Sequence, residues 1–247
     1  FLRRFRAEAQ LAASLQHPHI VTVHDWGEDE LPFMVLELCG GGSLRSVLDA
    51  GTRLSPAQAA RIGRDVAAGL AYAHERGVLH RDIKPANLLF DDRGEVRVAD
   101  FGLARALAEA SWTEPTGGVI GTARYASPEQ ARGVTLDGRS DCYSLALVVI
   151  EAVTGTVPFA AETPTATLAA RQQASIVAPA ALGALGPVVE RAGALAVDDR
   201  YPDAATLRAA FADAAGRLPA PEPLALTGLS ATADPHPTRA VPVPTPL

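Results

Sequence analysis

The chain has 247 residues, 48% of them hydrophobic, and a formal net charge of −6. That is enough apolar material for one large domain or two small ones, and it excludes a chain disordered throughout. The acidic balance also argues against the basic surface that nucleic acids or anionic membranes need, so no nucleic-acid partner is expected.

Leu2, Phe5, Ala9 and Ala12 recur at helical spacing between Phe1 and Leu15, and His17-Pro18 stops that helix. Phe1 opens directly into this pattern, so the true start is expected upstream. Ile20 to Trp26 and Phe33 to Leu38 read as strands around the acidic turn Glu28-Asp29-Glu30. A glycine-rich break follows at Cys39 to Gly42, with Ser43 placed to cap a short helix to Asp49. Ser55-Pro56 is an N-cap followed by proline at the first helical position, predicting a long helix to about Arg76 that Gly77 ends. Leu88 to Phe90 and Val96 to Val98 should form a hairpin around Asp91-Asp92-Arg93-Gly94. Residues 100 to 130 show little periodicity. Helices are expected again at about 140–154, 164–173, 185–196 and 203–216. Eight of the 19 prolines fall after Arg217, so residues 218–247 read as a Pro/Ala-rich disordered linker or tail. No apolar run reaches the roughly 18 residues of a membrane span, and no signal peptide is expected. Cys39 and Cys142 have neither metal-ligand nor disulfide-framework spacing.

Of 22 Lys and Arg residues, only Lys84 is lysine, and Asn87 is the only asparagine. In a chain so depleted of both, they share one eight-residue stretch, His80-Arg81-Asp82-Ile83-Lys84-Pro85-Ala86-Asn87. Phosphoryl transfer needs a carboxylate to orient the attacking hydroxyl, a cation near the transferred group and oxygen ligands for Mg²⁺. This stretch supplies all three. Asp100-Phe101-Gly102 adds a second carboxylate just past the hairpin. Either motif alone is a common accident. The two in order, at this spacing and with strand signals between them, are not.

Here the sequence resembles the eukaryotic-type serine/threonine protein kinases, including those of actinobacteria, over nearly all of residues 1–217. The resemblance implies an α+β, two-lobed fold with most of the N-lobe sheet missing: a partial N-lobe at 1–38, a helical C-lobe at 39–217 and the tail at 218–247. It implies ATP and Mg²⁺ as cofactors, protein substrates with Ser/Thr hydroxyls, and autophosphorylation. By resemblance Asp82 is the catalytic base, Lys84 neutralises charge on the γ-phosphate, and Asn87 and Asp100 hold the metal. Adenine would bond the backbones of Glu37 and Cys39, behind the gatekeeper Leu36, and rest on Leu89. Glu8 takes the place of the helix glutamate that pairs with a strand lysine. Arg81 implies capture of an activation-segment phosphate, with Thr116 favoured over Thr113 and Ser111, and Thr122 bonding the catalytic Asp and Lys. Ser127-Pro128-Glu129 resembles the motif closing that segment, with Glu129 pairing to Arg200, and Asp141 would brace the catalytic loop.

The sequence departs from the pattern in two places. No G-x-G-x-x-G loop and no strand lysine precede Glu8, so the chain by itself is expected to be nearly inactive. The rival readings are an impaired pseudokinase acting as a binding scaffold and, less favoured, a small-molecule phosphotransferase. N-lobe dimers are a family property open to this chain. The kinase domain is expected in the cytoplasm. Some bacterial relatives continue into a membrane span, which would lie beyond residue 247, and others are wholly soluble.

Overall fold

The computed structural model describes residues 2–29, 31–101 and 123–226, with side chains at Arg6 and from Ala9 onward. Helix α1 (Leu2–Ala13) precedes a two-stranded antiparallel sheet of β1 (Val23–Glu28) and β2 (Pro32–Leu36). Arg6 grips Glu28 through two 2.7 Å hydrogen bonds and ties α1 to β1. The first strand starts three residues later than its apolar run suggests. Ile20 pairs instead with Val98, and Val21 N–H donates to the Val98 carbonyl at 3.0 Å. Strand propensity identified the segment but not its partner.

The helical part begins with α2 (Leu44–Asp49) and α3 (Pro56–His74). Both open with a capping box, Ser43 with Ser46 and Ser55 with Gln58, so the orphan amides of the first turn are satisfied locally. Helix α3 stops two residues short of Arg76, and Gly77 turns the chain with φ +73°. The hairpin of β3 (Leu88–Phe90) and β4 (Val96–Val98) has the predicted bounds.

Beyond it lie α4 (Pro128–Arg132), α5 (Gly138–Thr154), α6 (Pro164–Arg171), α7 (Gly186–Ala192) and α8 (Ala204–Ala215). Every residue of α5 from Ser140 to Ala152 is buried, as expected of a helix with little amphipathic character at the centre of a domain. Helix α8 crosses α3 at Gly63, where an added Cβ would lie 2.8 Å from the Phe211 ring. The predicted helix at 185–196 is instead a 3₁₀ segment (Ala180–Leu185) followed by the shorter α7, which gives out at Ala192 before Gly193.

The boundary placed at residue 218 needs correction. Leu218, Leu224 and Leu226 pack against the main core, so the chain stays on the domain to the last described residue. Three leucines among the prolines provide the apolar surface that composition alone conceals. Among the described residues no helix is long and apolar enough to cross a membrane.

Candidate active site

The loop between α3 and β3 is held from below by Asp141, the fourth residue of α5. Asp141 is 1% exposed and accepts the His80 N–H at 2.9 Å, the Arg81 N–H at 2.7 Å and a contact from His74 Nε2 at 2.8 Å. Burial alone would raise its carboxyl pKa. The hydrogen bonds from His74 and from the His80 N–H outweigh that and hold it below the ordinary value. His74 was not singled out from sequence. It approaches Asp141 closely, and an added Cβ on Gly138 would lie 2.4 Å from its Nδ1.

His80 is fully buried and fixes the loop to the hairpin. Its Nδ1 accepts the Asp82 N–H at 3.1 Å, which leaves Nε2 to donate to the Ala99 carbonyl at 2.8 Å. Phe101 meets the His80 ring edge-on at 4.7 Å. Arg81 and Asp100 hold positive φ, 68° and 62°, a backbone region non-glycine residues keep only when their surroundings enforce it. Here Asp141 enforces the first through the Arg81 N–H, and Gln130 Nε2 donates to the Arg81 carbonyl at 2.8 Å.

The sequence-predicted residues meet at the top of this loop. Lys84 Nζ lies 2.6 Å from Asp82 Oδ2. Asn87 Nδ2 donates to the Asp82 carbonyl at 2.9 Å and to Oδ2 at 3.3 Å. The Asn87 amide oxygen is thereby turned away from Asp82. Across the hairpin the Ala99 N–H donates to the Asn87 carbonyl at 2.9 Å, placing Asp100, whose side chain is exposed, next to Asn87.

Glu37, Cys39 and Leu89 lie on the hinge side. The Glu37 N–H donates to Thr22 at 2.8 Å, and its carboxylate pairs with Arg97 at 3.1 Å. Cys39 packs with Val21, Ala99 and Leu89. Burial, and then the Glu37 carboxylate, push the Cys39 thiol up. A cavity of about 230 Å³ opens between α1, the β1–β2 sheet and the Asp100-Phe101 turn, lined by Val23, Leu36, Val98, Asp100 and Phe101 among others. The Glu8 side chain and Ser111, Thr113, Thr116 and Thr122 lie outside the described residues.

Three contacts brace the segment after residue 122. Glu129 and Arg200 form the expected pair, two hydrogen bonds of 2.6 and 3.0 Å, both residues at most 5% exposed. The other two were missed. Tyr125 donates to Glu151 at 2.6 Å, and Arg45 of α2 reaches the same carboxylate at 3.0 Å. Arg171, at 0% exposure, donates to the carbonyls of Ala123 at 2.8 Å and Ala126 at 2.9 Å, and to that of Arg124. It meets no carboxylate among the described residues, and desolvation draws its pKa down to about 10. Lone polar residues on helices read as solvated, and nothing local marks these as buried.

Comparison with known proteins agrees with this geometry. Residues 2–189 match the protein kinase domain family. The chain is 43% identical over 220 residues to the serine/threonine-protein kinase PknB of Mycolicibacterium smegmatis, covering 85% of this chain and 35% of that protein. It is 40% identical over 243 residues to PknB of Mycobacterium tuberculosis, covering 94% of this chain and 39% of that protein. A third relative, the serine/threonine-protein kinase PknL of Mycobacterium tuberculosis, is 41% identical over 228 residues, covering 90% of this chain and 57% of that protein. The chain thus spans 35–57% of the length of these relatives. With the loop, the hairpin turn and the Glu129–Arg200 pair in place, it belongs to the protein kinase family, in the bacterial serine/threonine branch.

Proposed function

We propose that the protein transfers the γ-phosphoryl group of MgATP to Ser and Thr hydroxyls of proteins. The Asp82–Lys84–Asn87 constellation, joined by hydrogen bonds and set beside Asp100, carries this reading. Asp82 orients the incoming hydroxyl and accepts its proton, while Lys84 offsets negative charge on the transferred group. Asn87 and Asp100 would hold Mg²⁺. An amide oxygen and an exposed carboxylate are hard oxygen donors, and this ion completes its shell with water and phosphate rather than a protein cage. The bound metal supplies charge neutralisation on the phosphates. Glu37 and Cys39 offer backbone groups to adenine, with Leu89 beneath it. Arg81 would receive a phosphate from the segment containing Thr113 and Thr116, with Thr122 and Glu8 in the family's supporting roles. ATP supply places the domain on the cytoplasmic side of any membrane.

The rival reading is a binding scaffold that keeps the fold, and one experiment separates the two. A G-x-G-x-x-G loop and strand lysine of the family pattern are joined ahead of Phe1, and phosphate transfer to a generic protein substrate is measured. The kinase reading expects transfer that Asp82→Asn lowers by about 10²–10⁴-fold. Absence of transfer from a folded, nucleotide-binding chimera favours the scaffold.

A further inference from the structure

Residues 218–226 run back across the domain and settle between α3 and the far end of the β3–β4 hairpin. Gln58 Nε2 donates to the Glu222 carbonyl at 3.0 Å. Leu224 and Leu226 are half-buried against the core. Ile62, Phe90 and Val96 line the groove, and a space of about 40 Å³ remains beside Leu224. At the hairpin turn Leu226 lies over Gly94, where an added Cβ would meet its Cδ1 in ordinary van der Waals contact at 3.6 Å. The Arg61–Glu95 ion pair spans the same α3–hairpin junction.

The segment is held lightly. Among the described residues, 219–226 makes no backbone–backbone hydrogen bond. Three half-buried leucines and one side-chain hydrogen bond must offset the ordering of nine residues, which places the segment at the low-stability end of the structure. Pro219, Pro221 and Pro223 reduce that ordering cost by favouring an extended chain before binding. The groove therefore fits an extended, proline-flanked peptide with apolar residues two apart, here Leu224 and Leu226.

We propose that this groove is an exchangeable peptide-docking surface with residues 218–226 as its cis occupant, and that emptying it loosens the hairpin whose other end carries Asn87 and Asp100. The consequence for catalysis rests on the kinase reading above; the docking does not. Phe90, Gly94 and Val96 line the same groove as Pro221, Glu222 and Leu224, so the segment's departure uncovers that end of the hairpin.

The test uses the full chain carrying Leu224→Asp and Leu226→Asp, without nucleotide. Hydrogen–deuterium exchange at residues 88–98 should rise about tenfold while α5 stays protected. A labelled peptide with the sequence of residues 218–226 should bind the double variant and bind the parent at least about tenfold more weakly, because the cis segment competes. Gln58→Ala should shift both readouts the same way by less. Unchanged hairpin exchange overturns the proposal, as does equal peptide affinity for parent and variant, absence of binding to both included. Should exchange rise in α5 as well, Gln58→Ala decides: faster hairpin exchange supports the proposal and none sinks it. Failure here leaves the chimera experiment untouched, and failure there leaves the docking intact.

Discussion

The catalytic loop and the β1–β2 sheet are built on opposite terms. Within the loop the backbone amides at 80, 81 and 82 have side-chain acceptors inside the domain, and their carboxylate and imidazole partners are buried. On the sheet, Phe33, Val35 and Leu36 stand 45%, 46% and 44% exposed, with Leu38 just beyond it at 76%, and among the described residues β1 and β2 pair only with each other. One region is over-determined by its surroundings. The other has apolar side chains that nothing among the described residues covers. Chemistry that tolerates no drift is placed where each group has several constraints, while the sheet carries few of its own.

That contrast can be broken by mutation. The largest effect is expected at Glu129→Ala, which strands the buried Arg200 guanidinium. Urea unfolding should show a loss of about 3–5 kcal/mol, and a loss under 1 kcal/mol would mean the pair is solvated. Asp141→Asn comes next, about 2–3 kcal/mol at neutral pH, because one of its three partners faces an NH₂ group. The Asp141 carboxyl is held below its ordinary value of 3.8. Its stabilisation is therefore complete above the unfolded value and is lost as pH falls through the depressed folded one. Acid unfolding of Asp141→Asn should be shallower than that of the parent, and identical acid limbs would remove this residue from the account.

Arg171→Met should cost about 1–2 kcal/mol, since the lost carbonyl bonds are partly balanced by relief of an unpaired buried charge. Its sharper readout is local. Trypsin should cut after Arg124 faster in the variant, and an unchanged rate would deny Arg171 its hold on residues 123–126. Smallest of all, Val35→Thr on the exposed sheet face should stay within about 0.5 kcal/mol. A larger loss there would show that the sheet is more tightly packed than its exposure suggests.

Most of the site was legible because the chemistry is concentrated. Eight consecutive residues hold the acid, the cation and an oxygen donor, and residue types that other positions avoid stand out there. The hairpin was legible to the residue because turn chemistry and alternating burial agree over a short span. What escaped reading lies far apart in sequence. His74 is 67 residues from Asp141, Arg45 is 106 from Glu151, and Arg171 is 48 from Ala123. A charged residue on a helix looks the same in sequence whether it faces water or a buried carbonyl. Ile20 misled for a related reason: a β-branched residue prefers extended backbone without indicating which strand it joins. The segment at 218–226 hid behind its prolines, which report an extended chain equally well in solvent and in a groove.

The lone lysine has a practical side. Lys84 is the one lysine among these 247 residues, and it lies 2.6 Å from Asp82. An amine-acylating reagent thus becomes a footprint of a single side chain inside the catalytic loop. The yield of one mass increment, compared with and without nucleotide or peptide, reads occupancy of that loop with no engineered label.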